Sequence, residues 1–166
     1  MSIALISLIV AICSALGTLF HWLYSWNANR KSYSIKVVRA AFYNSKLLML
    51  VVFENKSKQP ISFTQFALLL SGDKVFPSFT EEKLFERTRR RGGEIISVKE
   101  TKSLGFPINL SGYCSCSGYL QFGMSQSTAL LSSNTLSAEV CTNRGKPDRI
   151  ELLLSEVVPL ENMIQQ

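Results

Sequence analysis

The spacing of cysteine, histidine and carboxylate side chains decides first what chemistry this chain is equipped to do. Cys114 and Cys116 are separated by a single residue. A structural zinc site wants four Cys or His ligands in recognisable pairs, and dithiol exchange uses two intervening residues rather than one. Only Cys141 is left to join them, because Cys13 sits in an apolar N-terminal run. On a strand, Cys114 and Cys116 point to one face and read as reduced thiols packed in or beside it. The one histidine, His21, falls at the edge of the apolar run. The rest of the chain therefore lacks an imidazole base for a nucleophile. Glu81 and Glu82 precede Lys83, Glu86 and Arg87 as on a solvated face. Gly92-Gly93 follows arginines rather than a strand and lacks the flanking pattern of a phosphate-cradling loop. The sequence predicts no catalytic residue, no metal site, no cofactor and no enzymatic activity.

Two features point to contacts instead. Arg87, Arg89, Arg90 and Arg91 cluster before Gly92-Gly93. Guanidinium groups bind phosphates in bidentate fashion, so the cluster is expected to meet anionic lipid or another anionic partner. Nucleic acid is disfavoured, because no aromatic residue stands within the cluster to stack a base. The second feature is a stripe of small residues, Ala4, Ser7, Ala11, Ser14 and Thr18. Steps of three and four put them on one helix face. Small residues allow close helix–helix approach in lipid, so self-association or partner association through this face is expected.

These features need elements to carry them. Ile3–Phe20 reads IALISLIVAICSALGTLF, and no Asp, Glu, Lys or Arg appears before Arg30. About twenty such residues in a helix cross a hydrocarbon core of roughly 30 Å. His21 to Trp26 then supplies an aromatic belt for the headgroup level. No basic n-region precedes the run, and Ile12 stands where a lipoprotein signal before Cys13 has a small residue, so the anchor is expected to stay uncleaved. Arg30, Lys31, Lys36 and Arg39 follow the run with no acidic residue among them, which predicts a cytoplasmic C-terminal side. Three cysteines outside the anchor cannot all pair within one domain, and this agrees with a reducing compartment. The net charge of +6 biases the chain toward anionic partners.

The organisation expected is a transmembrane helix with its belt over residues 1–26, a neck over 27–34, a β domain over 35–160 and a tail over 161–166. Tyr33, Ile35 and Val37 share one parity; Val38, Ala40 and Phe42 share the other, which predicts a bulge. Lys46–Phe53 is continuously apolar. Ile61–Leu70 alternates at first and then becomes apolar throughout; alternating strands are expected over Thr135–Cys141 and Arg149–Leu154, with shorter ones between, Glu94–Lys99 among them. Thr80–Gly93 reads mainly as a long charged loop. About eight short strands with Gly, Pro, Asn and Ser turns predict an all-β, immunoglobulin-like antiparallel β-sandwich behind one N-terminal transmembrane α-helix.

The segments FENKSKQPISF (Phe53–Phe63) and FPINLSGYCSCSGYLQF (Phe106–Phe122) resemble those of small bacterial and phage-associated β-sandwich proteins with an N-terminal membrane helix, most of them uncharacterised. The resemblance implies the sandwich and no active residues. The function expected is a non-enzymatic interaction module held on a bacterial cell membrane, with the lipid bilayer and a protein as partners; the resemblance points to phage–host interference. The alternatives are a structural subunit of a membrane assembly and an extracytoplasmic ligand-binding sandwich.

Overall fold

The computed structural model describes residues 3–43, 45–70, 73–92, 94–124 and 135–154. Among the described residues one helix, α1 (Ile3–Ala28), is followed by ten strands. These are β1 (Tyr33–Tyr43), β2 (Lys46–Asn55), β3 (Ile61–Leu70), β4 (Asp73–Val75), β5 (Lys83–Arg91), β6 (Glu94–Lys102), β7 (Ile108–Leu110), β8 (Ser115–Gly123), β9 (Thr135–Thr142) and β10 (Asp148–Leu153).

At 1.5 Å per residue α1 is roughly 39 Å long. Its mean hydropathy is 2.5 over the apolar stretch, and none of it is buried against the domain. It is long and apolar enough to cross a membrane.

All named strand pairs are antiparallel. One sheet has the order β1-β2-β8; the other has β10-β9-β3-β4, with β7 also paired to β3. Both sheets feed one core. Leu47, Met49, Val51 and Phe53 alternate along β2 toward that core, and Phe63, Phe66 and Leu68 on β3 meet them. Phe53 packs tilted against Phe63 and edge-on against Phe66, at ring distances of 5.1 and 6.1 Å. Burying each such ring removes apolar surface from water and stabilises the fold by about 1.5–3 kcal/mol. The expected parity switch is present, with the β1–β2 register shifting between Val37 and Arg39. A two-residue turn joins these strands, and Ser45 takes a left-handed φ of 58°; Asn44 lies outside the described residues.

The loop reading of Thr80–Gly93 gives way to a strand. Lys83–Arg91 pairs with Glu94–Lys102 in a separate two-stranded ribbon. Its root packs on the domain: Leu84 and Phe85 meet Ala41, Leu48, Leu50 and Tyr119 on the outer face of the β1-β2-β8 sheet. This explains why Lys46–Phe53 is apolar without alternation. The inner face of β2 meets the core and its outer face meets the ribbon's root. Within β8, Gly118 lets Leu104 approach: a Cβ there would lie 2.5 Å from Leu104 Cγ. Residues 125–134, the end of the 35–160 domain and the 161–166 tail lie outside the described residues.

Candidate functional site

The end of α1 is clamped to the domain by groups distant in sequence. The Arg144 guanidinium, in the β9–β10 turn, donates to the Asn29 carbonyl and, at 3.3 Å, to the Ser57 hydroxyl. Lys31 pairs with Asp148 at 2.6 Å and donates to the Lys146 carbonyl at 3.3 Å. The Tyr33 hydroxyl donates to the same Asp148 carboxylate at 2.6 Å. Burial pushes the Asp148 carboxyl up, but the hydrogen bonds from Lys31 and Tyr33 outweigh it and hold the group below its ordinary value. Burial, then the Asp148 contact, raises the Tyr33 phenol. Only residues 29–32 separate α1 from β1, so the eight-residue neck is shorter than expected and tied down.

The segments Phe53–Phe63 and Phe106–Phe122 meet at this end. Asn55 is 1% exposed. Its amide donates to the Gln59 and Ser111 carbonyls at 2.8 and 2.9 Å, and its Oδ1 accepts from the Ser57 amide and hydroxyl at 2.9 and 2.7 Å. A buried amide satisfied on both sides fixes the β2–β3 loop against the β7–β8 loop. Gly112 makes the approach possible, since a Cβ there would stand 2.0 Å from the Lys58 carbonyl oxygen. The next residue, Tyr113, takes a left-handed φ of 57° and stays exposed.

A cleft of about 520 Å³ opens between these loops and the helix end. Tyr24 and Asn27 line it from α1, Arg30, Lys31 and Ser32 from the neck, Lys56 and Ser57 from one loop, and Tyr113 from the other. Three of the eight carry a positive charge and none is a carboxylate. Arg30 and Lys31 were legible as a basic flank. Lys56, Ser57 and Tyr113 were not read as site residues, because only the Asn55 clasp brings them there.

The arginine cluster is elsewhere. Arg87, Arg89, Arg90 and Arg91 all lie on β5, with Arg87 and Arg91 exposed; the side chains of Arg89 and Arg90 lie outside those described. Arg87 stands directly across from Lys99, and Glu86 across from Glu100. Lys83 bridges both glutamates, reaching Glu100 at 2.9 Å, and they push its ammonium up to about 12. The ribbon's root contacts Leu48 and Tyr119, toward the end of the sheet away from α1.

In α1, Ala4, Ser7, Ala11, Ser14 and Thr18 are all exposed. Ser7 donates to the Ile3 carbonyl at 3.1 Å and Thr18 to the Ser14 carbonyl at 2.8 Å, so both hydroxyl protons are satisfied within the helix. Cys114 sits in the turn before β8, while Cys116 and Cys141 lie on strands of different sheets; all are free thiols. Among the described residues no three of His, Cys, Asp and Glu group closely enough to hold a metal.

No protein-family model matches the chain, and no curated protein does. Among solved structures, a GH20 exo β-N-acetylglucosaminidase from Vibrio harveyi is 12% identical with a TM-score of 0.31; the match covers 76% of this chain and 18% of the glycosidase. The Iho670 flagellar-like filament is also 12% identical, over 92% of this chain and 98% of that one, with a TM-score of 0.30. At such scores neither likeness bears on fold or function.

Proposed function

We propose that this chain is a non-enzymatic interaction module tethered to a bacterial cell membrane by α1, with its β domain on the cytoplasmic side and the β5–β6 ribbon as the element that meets a protein partner. We read the two sheets as an immunoglobulin-like sandwich, supported by their antiparallel strands and shared core. The anchor reading is supported by the exposed, uncharged length of α1. The topology is supported by Arg30 and Lys31 directly after it.

The observation that carries the partner reading is the Arg87–Lys99 pair. Like charges directly opposite on a hairpin are destabilising, and a two-stranded ribbon is marginal in water. Ile95 and Val98 are 59% and 48% exposed on the same ribbon. Val98 neighbours Lys99 and faces the opposite side of the ribbon, so the partner that relieves both burdens meets one face with acidic groups and the other with an apolar contact. The charges and the two register shifts also oppose edge-to-edge pairing with another strand, so recognition runs through side chains.

The test places a photocrosslinking residue at Val98 in the full chain in its own membranes. A discrete protein adduct is expected, weakened by salt and abolished by Arg87→Glu with Lys99→Glu. An adduct indifferent to both changes refutes the reading. Extraction at alkaline pH checks the anchor, which is expected to stay with the membrane. For topology, Lys58→Cys in a Cys114→Ser chain should resist an impermeant maleimide until the cells are lysed.

A second reading, assembly through the helix, rests on the exposed small-residue stripe. Ser7→Leu with Ala11→Leu is expected to reduce helix–helix energy transfer in lipid.

A further inference from the structure

We propose that the cleft between α1 and the domain binds the phosphate of an anionic membrane phospholipid. The inference rests on α1 being a membrane anchor. It assigns lipid contact to a site that includes none of the β5 arginines.

The charge is available. Arg30 has no side-chain hydrogen bond or ion pair among the described residues, and Lys56 meets only Glu54, at 3.8 Å. Lys31 is engaged by Asp148 and acts as a wall of the cleft. Arg30 and Lys56 come from different segments, and no carboxylate lines the space they share. A guanidinium fork suits two phosphate oxygens and an ammonium a third.

The shape is built. Tyr113 is 70% exposed yet held at a φ of 57°, an uncommon conformation for a bulky residue. The Asn55 clasp and the Gly112–Lys58 approach hold the backbone on either side of it. Strained residues kept by their surroundings point to a binding role, and here the strain brings a phenol to the cleft wall.

The position selects lipid over free phosphate. Trp22 and Trp26 stack at 6.0 Å on the same stretch of helix, both exposed, which sets this level at the headgroups. Tyr24 and Asn27 line the cleft from α1. One turn deeper on that face stand Phe20 and Leu23, 69% and 44% exposed. A lipid with its phosphate in the cleft would lay its acyl chains along these two side chains.

The experiment uses the full chain in nanodiscs of phosphatidylcholine with and without phosphatidylglycerol, followed by native mass spectrometry of the released protein. One retained phosphatidylglycerol per chain is expected, with phosphatidylcholine retained about tenfold less. Arg30→Gln with Lys56→Gln should remove that preference at an unchanged unfolding midpoint, both residues being exposed. Arg30→Lys should keep part of it, and Arg87→Gln with Arg91→Gln all of it. Equal retention of both lipids, or equal loss in the β5 variant, overturns the proposal. Displacement of the lipid by millimolar inorganic phosphate alone reassigns the cleft to a soluble anion and overturns the lipid source. Failure to enter neutral nanodiscs would instead sink the anchor, which separates the two readings.

Discussion

Arg144 donates a hydrogen bond to the carbonyl of Asn29, 115 positions earlier in the chain. The last turn of α1 contains no basic residue. Helix C-termini leave carbonyls unsatisfied and carry partial negative charge. The cation that answers them comes from the β9–β10 turn, late in the sequence. Arg144→Ala is expected to destabilise the folded chain by roughly 1–2 kcal/mol and to broaden the distance distribution between spin labels on α1 and β9. An unchanged distribution would mean that the other neck contacts suffice.

Asn55→Leu removes both halves of the clasp and leaves the Gln59 and Ser111 carbonyls and the Ser57 amide without that partner. A loss of roughly 2–4 kcal/mol is expected. It should appear as a lower denaturant midpoint and as faster amide exchange in both loops. A change confined to the β2–β3 loop would count against coupling between the segments.

Gly112→Ala puts a methyl into the Lys58 carbonyl, and backbone on both sides has little room to give. The cost expected is about 1–3 kcal/mol. Gly123→Ala is the matched control: a Cβ at that position meets nothing within 4 Å, so its effect should stay within about 0.5 kcal/mol. Equal midpoints for the two variants would refute the close approach.

The Asp148 cluster predicts stability limbs at both ends of the pH scale. The carboxyl is held below its ordinary value, so its contribution is full above the unfolded carboxylate pKa and is lost as pH falls through the folded one. Tyr33 is raised. Its contribution is full below the unfolded phenol pKa and is lost as pH rises toward the folded one. Asp148→Asn should remove the acid limb and shorten the alkaline limb, leaving the part due to burial. Unfolding midpoints across pH check both limbs.

Much of the fold was readable because burial writes a period into the chain. The parity switch at Val38 marked its bulge, and the alternation of Leu136, Ala138 and Val140 marked β9. Of the ribbon, Glu94–Lys99 has strand character in the sequence and falls in β6; β5 was not readable, because its charged length beyond the root carries no buried period. The pairing of β5 with β6 is set by Leu84 and Phe85 at the root, and Phe85 meets its partner Tyr119 only in three dimensions. The cleft failed to show for the same reason. Asn55 looks like any polar turn residue until Ser111 arrives beside it, and Lys56 and Tyr113 share no local pattern. The charged flank at Arg30 and Lys31 was visible as composition, without its geometry.

The tied neck gives the molecule a fixed angular setting. An α-helix advances about 100° per residue, and the bonds from Arg144 and Lys31 tie the end of α1 to the domain at its joint. The bearing of Ala11 relative to β5 is therefore constant, like the flag on a key relative to its teeth. A neighbour that grips the shaft always faces the same side of the head. Inserting one alanine between Thr18 and His21 would turn Ala11 through about 100° while leaving every residue of the domain in place.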